Sequence, residues 1–274
     1  MSTSVRNLPD FDQPPVVETL LGVQFSVAKP FPNKFFGEYW KRIMDRFPHL
    51  EIQEPIPSVT EEFGLTSRVP SVAVRLVPGG DFRCWFIDET ETRLVQLQKD
   101  RFVHNWRRVK DEPYPHYDDE IKPRFEKEWV EFCSFLVEHG YDKPEVNQCE
   151  VTYVNHIEAG EDRAGIEDLS RVIACWSGSY SGNFLNRPET VSFNVRYVMP
   201  DNRGRLHIMG QPVIRRRDAK QVFQLNLTAR GKPRSSKLED ILEWLNLGRE
   251  WIVRGFTDLT TPEMHKVWKR KEGL

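Results

Sequence analysis

Amide and guanidinium side chains recur at period two along several stretches of this chain. In TRLVQLQKDRFVHNWRRVKDEPYP, Thr92 to Pro115, two alternating runs flank a tight turn at Lys99-Asp100. Side chains alternate between faces along a strand. One face of the predicted hairpin therefore carries Val95, Leu97, Phe102 and Trp106. The other carries Gln96, Gln98, Arg101, Asn105 and Arg107, with Leu94 and Val103 interspersed. Asn194 and Arg196 in VSFNVRYV repeat the pattern, as do Gln224, Asn226 and Thr228 in QVFQLNLTAR, opposite Phe223, Leu225 and Leu227. Such groups hold donors and acceptors in fixed geometries and can read base edges, phosphates or peptide groups. The candidate binding face is thus Gln96, Gln98, Asn105, Arg107, Asn194, Arg196, Gln224, Asn226 and Thr228. The competing reading is a solvated antiparallel face, which is ordinarily polar; the scarcity of Lys and Glu at these positions favours binding.

Other chemistries find less support. His104, His116, His139, His156 and His207 are scattered, with no HExxH or comparable spacing, so no metal site is expected. Gly178-Ser179-Tyr180-Ser181-Gly182 is the only Gly/Ser-rich loop; it lacks a Walker lysine, and no cofactor is expected. Cys84, Cys133, Cys149 and Cys175 show no CxxC spacing and read as reduced thiols. There is no nucleophile elbow. Glu150, Thr152 and His156 share a predicted strand face, so an enzyme with a polar pocket near His104 or His156 is the alternative. Arg107-Arg108-Lys110, Arg215-Arg216-Arg217 and the Lys266 to Lys271 stretch offer basic clusters that could track phosphates.

Composition bounds these readings. With 274 residues, 39% hydrophobic and 29% charged, the chain suits a globular core without staples. A formal net charge of -2 provides no global basic field, so a nucleic-acid partner would need a local patch. MSTSVRNLPDFDQPP has no apolar signal core, and no run approaches a spanning helix. A cytoplasmic protein without a membrane partner is expected.

The elements that must position the face follow in order. Residues 1–13 read as a flexible tail. VVETLLGVQFS is a strand, followed by a helix capped by Asn33 and carrying Phe36, Trp40, Ile43 and Phe47. Residues 49–70 read as a loop or irregular edge strand. SVAVRLV, Gly79-Gly80 and DFRCWFI form a predicted hairpin. Asp118 or Asp119 starts a helix that Gly140 stops. A second pass brings strand Glu145–Glu158, a short helix Ile166–Trp176, a loop Gly178–Pro188 and three more strands. Ser236-Lys237-Leu238-Glu239 fits a capping box for a long helix striped by Leu238, Ile241, Leu242, Leu245, Ile252 and Phe256. Trp244 and Trp251 flank that stripe, where core packing is favoured over a subunit contact.

The order strand, helix, several strands, long helix thus occurs twice. The expectation is an α+β protein of two pseudo-repeated halves, 14–142 and 143–274, with a largely antiparallel sheet backed by long helices. That arrangement resembles the TATA-binding-protein-like fold. PPVVETLLGVQF, VQLQKDRFVHNWRRVKDEPYPHY and CEVTYVNHIE together resemble a sporadically distributed, functionally uncharacterised family of bacterial proteins. The resemblance rests on Gln-x-Gln…Asn-Trp-Arg…Tyr-Pro and Val-Asn-His-Ile, and marks Trp106, Arg108, Tyr114, Pro115, Asn155 and His156 without assigning them roles. It implies a bacterial cytoplasmic protein, and the sporadic distribution suggests an accessory of a defence or toxin–antitoxin type system. The favoured function is a non-enzymatic binding protein whose sheet face engages nucleic acid or a protein partner. A homodimer assembled through the same face is the third reading.

Overall fold

The computed structural model describes residues 8–64, 81–158, 166–176, 184 and 188–271, without the side chains of 166–168. Among these residues the chain is α+β, with nine strands in one antiparallel sheet and five α-helices. The strands are β1 (Val16–Ser26), β2 (His49–Gln53), β3 (Arg83–Ile87), β4 (Arg93–Gln98), β5 (Arg101–Arg107), β6 (Glu145–Ile157), β7 (Phe193–Val198), β8 (Arg205–Ile214) and β9 (Gln221–Gly231). The helices are α1 (Lys34–Ile43), α2 (Lys122–Glu138), α3 (Ile166–Val172), α4 (Leu238–Leu259) and α5 (Pro262–Val267). The spatial order is β2-β3-β4-β5-β1-β6-β9-β8-β7. β1 and β6 therefore sit side by side at the centre, with hairpin-connected strands stepping outward from each.

One side of the sheet is apolar because alternation puts Leu21, Val23 and Phe25 of β1 on the same side as Phe102 and Trp106 of β5. α2 lays Trp129 and Phe132 across Phe25 and Phe102, at ring separations of 5.3–5.9 Å. α1 wedges Tyr39 between Phe86 of β3 and Phe132 of α2. Rings buried this fully contribute roughly 1.5–3 kcal/mol each. α4 approaches β6 and β9 at Gly248, where a Cβ would lie 3.1 Å from Val151 and 3.3 Å from Ala229. Trp244 fills the space beside Gly231, where a Cβ would lie 2.2 Å from the Arg203 carbonyl oxygen and 2.8 Å from the indole. Its Nε1–H donates to that Arg203 carbonyl at 2.9 Å.

Trp244 is fully buried, the core role favoured for it over a subunit contact, whereas Trp251 is half-buried. The structure corrects several local expectations. Asn33 makes no side-chain cap; its backbone is already helical. Ser236 does not cap α4, because its hydroxyl accepts from the Val146 amide of β6 instead. Helical structure begins at a π-helical turn, Tyr117–Ile121, ahead of α2. Of the expected N-terminal tail, residues 8–13 are held: Phe11 is buried against Phe256 and Trp268, and Asp12 and Gln13 donate to the carbonyls of Lys269 and Trp268. The first arm of the predicted SVAVRLV hairpin, and all but Phe184 and Pro188 of the 178–188 loop, lie outside the described residues.

Candidate binding face and the segment that crosses it

All nine residues of the sequence-derived face lie on the side of the sheet away from the helices, in rows fixed by strand register. Asn194, Asn226 and Arg107 share a row with Met209, Val154 and Glu18. Arg196, Thr228 and Asn105 share the next, with His207, Thr152 and Leu20. Gln96 follows in a third with Val103 and Gly22, and Gln98 in a fourth with Arg101, Gln24 and Gln148. Gln224 pairs with His156 at the opposite end.

The face is not a bare solvated surface. Gln24, Gln96, Gln98, Arg101, Asn105, Gln148 and Arg205 are all buried, and buried polar groups require partners. For one row the partner is the chain itself. After β2, residues 54–64 run extended across the sheet. The Ile56 amide donates to Gln98 Oε1 at 2.8 Å, and Gln98 Nε2 returns a bond to the Ile56 carbonyl at 2.9 Å. Arg101 donates to the Pro57 carbonyl at 3.2 Å. The Val59 amide donates to Gln24 Oε1 at 3.0 Å, while Gln148 Nε2 donates to the Val59 carbonyl at 2.7 Å. Gln148 Oε1 then accepts from the Glu61 amide at 3.1 Å. From β4 to β6 is three inter-strand steps, about 14 Å at about 4.8 Å each. Five extended residues cover about 16 Å, so the strap meets one polar side chain per strand without coiling.

The strap ends in charge. Glu61 accepts from Arg205 and lies 2.6 Å from His207 Nε2. Burial pushes the Glu61 carboxyl up, but the His207 hydrogen bond and the Arg205 and Arg230 charges outweigh it and hold it below the ordinary value. Arg205 also donates to the Glu62 carbonyl at 2.9 Å and sits over the Phe63 ring at 4.9 Å. Beside it, Arg230 is matched by Glu150.

A second network occupies the neighbouring rows. Arg83 and the Trp85 indole donate to Gln96 Oε1, Gln96 Nε2 donates to Asn105 Oδ1 at 2.7 Å, and Asn105 Nδ2 donates to Glu18 at 2.7 Å. Burial raises the Glu18 carboxyl despite the Asn105 bond and the Arg107 charge. Thr152 and Thr228 pair at 2.9 Å, and Arg107 donates to the Glu91 carbonyl. Four atoms buried on this side lack partners among the described residues, Asn226 Oδ1, His156 Nδ1, Arg83 Nε and Arg101 Nε. Asn194 and Arg196 are exposed on β7, the last strand of the sheet.

Most motif residues lie elsewhere, at the seam between β6, α4 and the approach to α2, while His156 lies on the strap side. Trp106 packs edge-on to Tyr114, and Arg108 lies 6.0 Å over the Trp106 ring. Tyr114 and Tyr153 hydroxyls are 2.8 Å apart, and Arg249 stacks on Tyr117 at 4.8 Å while pairing with Asp118. Pro115 precedes His116, which holds φ 59° and ψ 147°, a strained conformation for a residue other than glycine. Asn155 donates to the Leu225 carbonyl and His156 meets Gln224 at 3.3 Å.

The two histidines of the enzymatic reading do not share a pocket. His104 lies on the helix side, 2.6 Å from Glu128 with both buried, whereas His156 lies on the strap side. The basic clusters are matched in part: Arg215 pairs with Asp218 and Glu158, Lys271 with Asp10, and Arg217 lies 3.9 Å from Asp111, whereas Arg108, Lys110, Arg216, Lys266 and Lys269 form no ion pair among the described residues. Among the described residues no group of three or more His, Cys, Asp or Glu side chains is placed to hold a metal, and no helix is long and apolar enough to cross a membrane.

Sequence reasoning missed Gln148, Glu61, Arg205, His207 and the strap. Gln148 alternates with the buried Cys149 and carried a usable signal. Residues 54–64 offered only Pro55 and Pro57, which favour extended backbone. Comparison of the chain with family models, with curated proteins and with solved structures returns no match.

Proposed function

We propose that this is a binding protein whose sheet face, on the side away from the described helices, grips extended polypeptide, and that its partner is a protein segment rather than a nucleic acid. The observation that carries this is the strap, whose backbone amides and carbonyls are met by Gln98, Gln24 and Gln148 from three different strands. Main-chain recognition of this kind accepts many sequences and takes its specificity from flanking side chains. The Arg205, Arg230 and Arg215 charges are already answered by Glu61, Glu150 and Asp218. A phosphate backbone would have to displace those carboxylates, which argues against nucleic acid. Self-assembly through the row that the strap covers would likewise have to expel it.

Magnitudes favour exchange. Seven backbone hydrogen bonds hold residues 56–62, contributing about 1 kcal/mol each. Half-buried Ile56, Val59 and Phe63 add about 1 kcal/mol each, and the Glu61 contacts about 2. Ordering residues 56–63 costs roughly 8–16 kcal/mol, lessened by the prolines. The balance lies within a few kcal/mol of zero, so a competing segment can replace the strap.

The architecture fits the same reading. We read the chain as two related halves resembling the TATA-binding-protein-like fold. β1 and β6 correspond at the centre, β5 with β9 and β4 with β8 outward, and α2 with α4 behind. An accessory role in a bacterial defence or toxin–antitoxin type system is compatible with a peptide receptor.

The test replaces residues 55–62 by a Gly/Ser linker of equal length and titrates the variant with a labelled peptide of residues 54–64. Saturable anisotropy, weakened by Gln24→Ala with Gln148→Ala, is expected, with no oligonucleotide binding. Absence of peptide binding, or steeply salt-dependent oligonucleotide binding, would overturn the proposal.

A further inference from the structure

The helix side of the sheet is covered unevenly. Over β3, α1 packs Tyr39 onto Phe86 beside α2. At the other margin α3 does not take the equivalent place beside α4. It is drawn to the end of α4 and to α5, with Ala174 donating to the Leu259 carbonyl, Thr261 to that of Val172, and Arg171 pairing with Glu263. What remains between α4 and β7–β8 is a cleft of about 640 Å³, within the range of small-molecule sites.

Its walls are chemically one-sided. Leu206 and Ile208 of β8 and Leu247 of α4 line it together with two aromatic residues, Trp251 and Tyr197. Tyr197 is 46% exposed, and Trp251 is half-buried. Three charges border the cleft, all from α4. Glu250 and Arg254 neutralise each other at 2.9 Å. Asp258, one turn on, is exposed and has no hydrogen bond or ion pair among the described residues. An apolar cleft with two aromatic rings and one uncompensated carboxylate complements an apolar body carrying a positive charge.

We propose that this cleft binds a lipophilic amine: an apolar or aromatic body between α4 and β8, with its ammonium group at Asp258 against Trp251 or Tyr197. The site is separate from the strap face, since it lies on the opposite side of the sheet.

The test uses 2-(1-naphthyl)ethylamine, protonated at neutral pH, with 1-naphthaleneacetate as an anionic counterpart and 1-naphthaleneethanol as a neutral one, titrated calorimetrically into the full chain. The amine is expected to bind saturably, about fivefold tighter than the alcohol and more than that over the acetate, the size of one exposed ion pair plus a cation–π contact. Asp258→Asn should lower amine affinity about threefold and leave the alcohol unchanged. Leu247→Trp, at a half-buried position, should abolish binding of both, with circular dichroism confirming the fold. No saturable binding at millimolar concentration, equal or tighter binding of the acetate, or an amine affinity indifferent to Asp258→Asn would each overturn the proposal.

Discussion

Replacing Gln148 by Ala is the sharpest way to ask whether the strap behaves as one displaceable unit. Gln148 is buried and joins the strap twice, at the Val59 carbonyl (2.7 Å) and the Glu61 amide (3.1 Å). Each net bond contributes about 1 kcal/mol, so the variant loses about 2 kcal/mol from a segment held by only a few. Two kcal/mol is about thirtyfold in an opening equilibrium. If residues 56–62 open together, amide exchange at Ile56, Val59 and Glu61 should all quicken about thirtyfold, although Gln148 touches neither Ile56 nor its partner Gln98. Amides in the centre of β1 and β6 open only with the sheet and should keep their protection. Hydrogen exchange read by NMR at single residues decides it. Acceleration confined to Glu61, with Ile56 unchanged, would mean that the strap yields bond by bond, and the reasoning that treats it as an exchangeable ligand would fail.

Three further outcomes follow from the charges. The Glu61 carboxyl is held below the ordinary 4.5, so its contribution is complete above that pH and lost as pH falls through the lower folded value. Strap protection should therefore be flat from neutrality to about pH 4.5 and decline below it, and Glu61→Gln should remove the decline. Glu18 is shifted the other way by burial; its charged form opposes folding as pH rises. Glu18→Gln should therefore raise the melting temperature at pH 7 and lose that advantage near pH 4, and an unchanged or lower value at pH 7 would contradict the burial argument. The buried His104–Glu128 hydrogen bond should cost about 1–3 kcal/mol to break with Glu128→Leu, with much of that recovered in the His104→Leu/Glu128→Leu double variant, measured by denaturant unfolding.

What was legible in the sequence, and what was not, divides by the range of the interaction. The β4–β5 hairpin could be read because alternation and the Lys99-Asp100 turn are local, and the paired positions Val95–His104 and Leu97–Phe102 carry the apolar side as the pattern requires. The polarity of the opposite face was equally plain. Its burial was not, because the cover comes from a segment some forty residues upstream with neither helical nor strand period. Ser236 failed as a cap for the same reason: a local propensity lost to the Val146 amide, ninety positions away. Trp244 looked like a flanking ring on a helical wheel until Gly231 opened space for it.

The strap also limits which segments can replace it. Arg101 has only donors to offer, and the strap residue it meets is Pro57, which has only an acceptor. A residue with a free amide there would have to leave that amide to solvent. Before it, Ile56 supplies both donor and acceptor to Gln98, and two positions after, Val59 supplies both again to Gln24 and Gln148. Five residues beyond Ile56, Glu61 supplies the carboxylate for Arg205 and His207. Sliding the strap by one residue would set Pro57 against Gln98, leaving its carbonyl oxygen without a donated hydrogen, and move the carboxylate away from Arg205 and His207. A competing segment should therefore carry an acidic residue five positions after its first recognised amide. In the linker-replaced variant, a 54–64 peptide with the Glu61 position changed to Lys should bind at least tenfold more weakly, because a charge-assisted bond of about 1.5–3 kcal/mol is replaced by repulsion. A Lys peptide that competes as well as the native one would show that the backbone bonds alone set the affinity, and that the face reads no sequence.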